Sequence, residues 1–443
     1  MSNKEKINIR NIKIKKVKVA FLIFCRYNSY DIIPLNLKQR SETMWKKVSL
    51  VTLLAMGLGN VATATPLTEA IKSVDINGML RVRFYNDRTN KIEQTKTIKY
   101  GYNRWRTNAK LVFTVHADEN LAFVWRTSVQ SDNYSKASKD DVTHRSTLDA
   151  ELKSNLLFFK YGANGFGLIG GKIPVATPIT SADPITTAHG AGVIGTYKPM
   201  DGLTLAAGWV DKLLNWSVDD ETYARGGLDN DIYTVAAIYN VDTLGLQAWF
   251  FRVTNLLTYD IVLRANYKLP IGDGEFVKFA ADYAQAKADE DFDPAKKIHR
   301  YVHIGAEGKI AGFDVGAGYA ATNKYDADKS TPVELSHDSP IAYILPVEQR
   351  YAIANERGIK AWYLKAGYDL SPAIKLNAGY AKVDQKEEYG NADSSEWKIG
   401  ATYAYNKKVT FDAYFDDLIY ASQYNRDGNP NNQEVRIEAK YKF

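Results

Sequence analysis

Between Val435 and Phe443 every second residue is apolar and every residue between is charged: Val435-Arg436-Ile437-Glu438-Ala439-Lys440-Tyr441-Lys442-Phe443. A strand sends successive side chains to opposite faces, so this segment offers one face to an apolar medium and the other to water. The same period-two pattern recurs from Val74 onward in stretches of about ten residues, the length a tilted strand needs to cross a bilayer. A helical membrane protein would instead need runs of about 20 apolar residues. The mean hydropathy of −0.34 leaves no room for many of them. A soluble β-sandwich can alternate in a few strands, but rarely along a whole chain with such unequal connections.

Counting the alternating stretches gives eighteen, from 74–84 and 103–115 at the start to 432–443 at the end. The weakest are 155–161 and 191–198, and discounting them would leave sixteen. Connections after even-numbered stretches are short, as in Pro199-Met200-Asp201, Val241-Asp242 and Asn406-Lys407. Those after odd-numbered stretches are mostly long, the longest covering 322–357. Short turns at one end and long loops at the other are the asymmetry of an outer-membrane barrel with periplasmic turns and external loops. The expected fold is therefore all-β: a transmembrane antiparallel up-and-down β-barrel of 18 strands, with 16 as the alternative.

The formal charge of +6 is a property of the first 64 residues, which hold twelve Lys or Arg against Glu5, Asp31 and Glu42. The rest of the chain carries 45 basic residues (57 less 12) and 48 acidic ones (51 less 3). A nucleic-acid partner is not expected from a working part without a positive field. The one cysteine, Cys25, also lies in the leading segment, so the chain downstream has neither disulfides nor thiol chemistry. Met44-Trp45-Lys46-Lys47, an apolar stretch to Val61 and Ala62-Thr63-Ala64 follow the order of a secretory signal peptide. We therefore divide the chain into 1–43, an upstream mis-start or extended leader, 44–64, the signal peptide, and 65–443, the barrel. Such a chain is exported through the periplasm to the outer membrane of a Gram-negative bacterium.

Aromatic residues fall near the ends of the alternating stretches, among them Phe84, Trp105, Trp125, Trp209, Trp249, Trp362, Trp397 and Phe443. Rings with a polar edge favour the lipid–water boundary, so these are expected in two girdles. In the first three stretches the face opposite the apolar residues carries Arg81, Arg83, Arg104, Arg106, Lys110 and Arg126. An arginine exposed to lipid at mid-membrane costs roughly 2–4 kcal/mol, which directs these side chains to the lumen as a basic strip on one wall. The alternative is that they pair with nearby carboxylates such as Asp75 or Glu119.

The stretch from Ala64 to Phe84, which includes Thr65-Pro66-Leu67-Thr68-Glu69-Ala70-Ile71 and Asn77-Gly78-Met79-Leu80-Arg81-Val82-Arg83-Phe84, resembles the mature start of the Campylobacter-type major outer membrane protein family, which are porins. Gly170-Gly171-Lys172 with Asp201-Gly202-Leu203-Thr204-Leu205-Ala206-Ala207 resembles that family's middle region, and Tyr441-Lys442-Phe443 its ending. The resemblance implies an eighteen-strand homotrimeric channel for passive diffusion of ions and small hydrophilic solutes, and a calcium ion in the lumen with Asp183 as its one nearby ligand. No cofactor is required for such transport. The partners expected are outer-membrane lipid and lipopolysaccharide, sister protomers, and the barrel-assembly machinery through the terminal Phe443.

Residues 174–190 follow the fifth stretch and form the third external loop, which in porins of this kind folds inward and narrows a wide barrel. Three prolines and low charge suit a loop held against a wall, with Asp183 and His189 in the constriction. Asp183 opposite the basic strip would create a transverse field that orients dipolar solutes.

Enzyme chemistry finds little support. His299 and His303 are the one close histidine pair, but four residues along a strand separate them by about 13 Å, too far to share an ion. No nucleophile elbow, phosphate-cradling glycine loop or paired-cysteine motif occurs. The run Asp289-Glu290-Asp291-Phe292-Asp293 opens like a calcium loop, but Pro294 and Arg300 stand where glycine and glutamate are needed, so a solvated external loop is expected. The alternative function is an adhesin or surface-recognition barrel acting through 85–102, 131–154 and 322–357.

Overall fold

The structure is a computed structural model that describes residues 74–93, 96–134, 152–181, 188–214, 230–272, 274–326, 330–336, 338–350, 352–385, 393–421 and 431–443. The leader, the signal segment, Asp183 and His337 lie outside the described residues.

Eighteen strands form one antiparallel sheet in which each pairs with its chain neighbours. They are β1 (Val74–Glu93), β2 (Lys96–His116), β3 (Leu121–Tyr134), β4 (Lys153–Ala163), β5 (Phe166–Pro174), β6 (His189–Met200), β7 (Leu203–Leu214), β8 (Ile232–Val241) and β9 (Leu244–Val253). They continue as β10 (Leu257–Pro270), β11 (Phe276–Ala288), β12 (Ile298–Ile310), β13 (Phe313–Thr322), β14 (Ile359–Ser371), β15 (Ile374–Gln385), β16 (Ser394–Ala404), β17 (Val409–Tyr420) and β18 (Asn431–Lys442). The sheet closes where β1 pairs with β18, from Met79 opposite Lys442 to Asn90 opposite Asn431. Closure leaves no edge, so every wall segment finds its backbone partners inside the protein, as a lipid environment demands. The two weak stretches are strands β4 and β6, which settles the count at eighteen.

At the end with short connections, two-residue turns have the left-handed backbone that right-twisted hairpins favour, with Asn164 (φ 51°) before Gly165 (φ 78°) and Ala311 (φ 50°) before Gly312 (φ 80°). The pleat then sorts the side chains. On β12, Val302 and Ile304 are exposed while Tyr301 and His303 are buried; on β14, Trp362 and Leu364 are exposed while Ala361 and Tyr363 are buried. The exposed residues form the lipid face. Its aromatic rings meet across strands, Phe84 against Trp105 at 5.0 Å midway along β1 and β2 and Phe313 against Tyr368 at 4.7 Å by the short-turn end, and the Trp209 indole donates to Asp231 at 2.8 Å.

The sequence expectations need three corrections. Strands β1 and β2 run well beyond 84 and begin well before 103, because the hairpin keeps pairing after both its faces have become polar. Residues 85–102, read as a surface loop, thus lie largely in strand; of 131–154, residues 135–151 are outside the described residues. Trp249, assigned to a girdle, points inward instead: it lies opposite Val262, stacks on Phe251 at 5.7 Å and donates to Gln247 at 3.1 Å. Finally, the long connection 323–358 does not stand outside the barrel. Val333, Ile341, Leu345, Val347 and Ile353 in it are almost fully buried against inward residues of the wall such as Val262, Ala284, Ala320 and Ala361. A barrel this wide leaves an open interior, and the apolar side chains of this segment escape water by filling part of it.

Candidate channel and its constriction

Arg81, Arg83, Arg104, Arg106, Lys110 and Arg126 occupy inward positions on β1, β2 and β3. Arg83 lies opposite Arg106, Tyr85 opposite Arg104 and Met79 opposite Lys110. They share a wall, and most are tied down. The Arg106 guanidinium grips Asp132 with two bonds of 2.6 and 2.7 Å. Arg83 pairs with Glu438 across the closure and also donates to the Tyr85 hydroxyl at 3.2 Å. Arg81 donates twice to Asn108, at 3.1 and 2.9 Å, and Arg104 lies 4.0 Å over the Tyr85 ring. The carboxylates that serve Arg83 and Arg106 are therefore Glu438 and Asp132. Asp75 meets His116 at the short-turn end, 3.1 Å away. Arg126 is buried with its Nη2 unpartnered.

Among the described residues, two connections enter the lumen from the long-loop end. In the first, Val175, Ile179 and Ala188 are buried, and Thr180 closes a turn by donating to the Val175 carbonyl at 2.5 Å. His189 opens β6 in a buried position. The first connection is tied to the second: the Leu335 N–H donates to the Ile179 carbonyl at 2.8 Å, the Ile341 N–H to the Pro178 carbonyl at 3.2 Å, and the Ser181 N–H to the Ser336 hydroxyl.

The second connection, 323–358, crosses the lumen. Its root rests on β10 to β14, where His299 holds the Ala354 carbonyl at 2.7 Å and the Tyr325 hydroxyl at 3.0 Å. Two inward positions deeper along β12, Asp282 joins Arg264 (2.6 Å) to His303 (2.9 Å), and His303 reaches the Tyr363 hydroxyl at 3.1 Å. The two histidines thus have separate partners. The tip, Pro346 to Arg350, reaches the far wall: Glu348 bridges Lys398 (2.6 Å) and Arg436 (3.2 Å). Burial pushes the Glu334 carboxyl in the root up to about 8, with Asp338 and Glu356 adding to the shift and the Ser339 hydroxyl opposing it. Sequence reasoning missed this segment, although the runs of inward alanines it packs on, Ala284, Ala286 and Ala288, mark a wall that something approaches closely.

Beneath the tip lies a cavity of about 670 Å³. Cations (Arg83, Lys365, Lys375, Lys398, Arg436, Lys440) and anions (Glu307, Asp314, Glu348, Asp412, Glu438) share its lining. Lys365 and Lys278 both engage Glu307, the latter at 3.2 Å. Among the described residues no group of three or more His, Cys, Asp or Glu side chains is arranged to hold a metal ion. The acidic run 289–293 is a self-capped turn, in which Asp293 accepts from the Ala295 N–H at 3.0 Å and Glu290 pairs with Lys296 at 2.6 Å.

An apolar outer face, a charged inner face and loops folded into the interior define an outer-membrane β-barrel channel. The profile of the Campylobacter major outer membrane protein family matches residues 44–443, and the chain belongs to that family. Among solved structures it is similar to three Pseudomonas aeruginosa proteins. OccK7 (OpdD) aligns with a TM-score of 0.65 at 15% identity, covering 83% of this chain and 99% of that one. OccK9 (OpdG) aligns with 0.65 at 16%, covering 84% and 99%. OprD aligns with 0.62 at 12%, covering 84% and 95%. At these identities the likeness is one of fold. No curated protein matches the chain in sequence. The protein is an outer-membrane porin for small solutes of a Gram-negative bacterium.

Proposed function

We propose that the channel is water-filled and passes ions and small hydrophilic solutes by passive diffusion between the basic wall of β1 to β3 and the two inward connections. The observation that carries this reading is the ion-pair-lined cavity beneath the 323–358 tip, whose mixed charges favour hydrated solutes over apolar ones. Asp183 facing the basic strip would add a transverse field. The reading includes a homotrimer, contact with lipopolysaccharide, and recognition of Phe443 by the barrel-assembly machinery. Calcium enters through the family resemblance and Asp183 alone, and no step is assigned to it. The chain acts as a channel and not as an enzyme, in keeping with its family and fold.

Recordings in planar bilayers test the reading. Arg104→Ala should shift the reversal potential towards cations and Asp183→Asn towards anions. Unchanged conductance and selectivity in both would remove the transverse field, and a wild-type protein that passes no current would remove the channel.

A further inference from the structure

We infer that Glu396, on β16, is the catch that seats the tip of the 323–358 connection in the lumen, so that this side chain sets the width of the water path there. The inference rests on the channel reading above.

Three consecutive backbone N–H groups converge on this one carboxylate. Those of Glu348 and Gln349 donate to Oε1 at 2.9 and 2.8 Å, and that of Arg350 donates to Oε2 at 2.7 Å. The tip belongs to no strand, so its N–H groups have no ladder to satisfy them, and away from water each unpaired donor is costly. A carboxylate is the strongest acceptor a side chain can offer them. Glu396 is about 1% exposed, and on β17 the Asp416 carboxyl lies beside it. The side chains at the tip then spread to the neighbouring strands. Gln349 donates to Asp416 at 2.7 Å and accepts from Asn432 at 2.8 Å, while Glu348 takes Lys398 and Arg436.

The wall is shaped to receive the tip. On β15, a Cβ at Gly379 would lie 2.0 Å from the Pro346 carbonyl oxygen and 3.0 Å from its carbon, so the backbone of the tip rests directly on a glycine. Any side chain there must push the tip away. To the wall itself Glu396 contributes one side-chain hydrogen bond, shared with Asp416 on β17, whereas β16 is paired along its length with β15 and β17 by backbone bonds that survive loss of the side chain.

The full chain in planar bilayers tests the catch. Glu396→Ala should raise single-channel conductance by about 1.5-fold or more and add current fluctuations as the tip leaves its seat. Glu396→Gln, which keeps an acceptor oxygen without the charge, should fall between Ala and wild type. Gly379→Ala alters no charge and should raise conductance in the same direction by displacing Pro346. These changes should occur with unaltered β-sheet circular dichroism and heat-modifiable migration, since a purely structural role would alter those and leave the conductance of each open channel alone. Wild-type conductance and noise in Glu396→Ala and Gly379→Ala would overturn the inference. If Glu396→Ala does not fold, the Gly379→Ala result decides alone. A wild-type protein without conductance overturns the channel reading itself, a different failure.

Discussion

The inner faces of two parts of the same barrel are built on opposite rules. Along β9 to β14 many inward positions beside the root of the 323–358 connection are apolar or small, with Phe251, Val253, Val262, Ala284, Ala320 and Ala361 almost fully buried, and they hold the root mainly by close packing around the few polar groups there, His299, Asp282 and His303. From β16 through the closure to β3 they are largely charged or polar, and they hold the tip of the same connection through hydrogen bonds and ion pairs. Apolar packing gains nothing from water and is lost only when the segment leaves altogether. Polar contacts can be exchanged for water at small net cost. The root therefore behaves as part of the barrel, and the tip as a movable boundary of the water path.

The largest effect that would break this contrast is expected at the root. Ile341→Ala should lower stability by about 2–5 kcal/mol, read from thermal or denaturant unfolding in detergent. A loss no greater than that of any tip variant would mean that the root is not a packed core. On the charged side, Arg106→Ala deprives the buried Asp132 of its two-bond partner and should cost about 1.5–3 kcal/mol. Because a lumen cation is removed, reversal potentials should also move towards cation selectivity. The smallest effect is one of pH. The Glu334 carboxyl, near 4.5 when free, is held at about 8 in the docked root, so docking binds a proton that release gives up. Docking is then strongest below pH 4.5 and weakens as pH rises towards about 8, and conductance noise should grow over that range. Glu334→Gln should flatten the dependence, and a retained slope would assign it to other groups.

How much of this was legible in the sequence follows from where each residue takes its environment. In a barrel strand the pleat alone decides between lipid and lumen, so eighteen strands and the inward side of Arg81 to Arg126 could be read from alternation. Trp249 was placed in a girdle by its ring chemistry, whereas the alternation of Leu246, Ala248 and Phe250 turns it inward, where it stacks on Phe251. The rest depended on contacts between distant parts of the chain. The 323–358 connection has no period to read, and its burial is seen only once β10 to β14 are side by side. Likewise Arg83 finds its acid 355 residues away, at Glu438, a pairing that only the closed register supplies.

That register has a consequence for how the protein is made. At the base of the seam the Gly78 N–H donates to the Phe443 carbonyl at 3.1 Å, and the Phe443 N–H returns a bond to Gly78 at 3.2 Å. The first strand to leave the ribosome thus waits for the last, and contacts of such sequence separation form slowly. Until they do, β1 travels with an open, unpaired backbone edge, exposed to the very mispairing that a finished ring forbids.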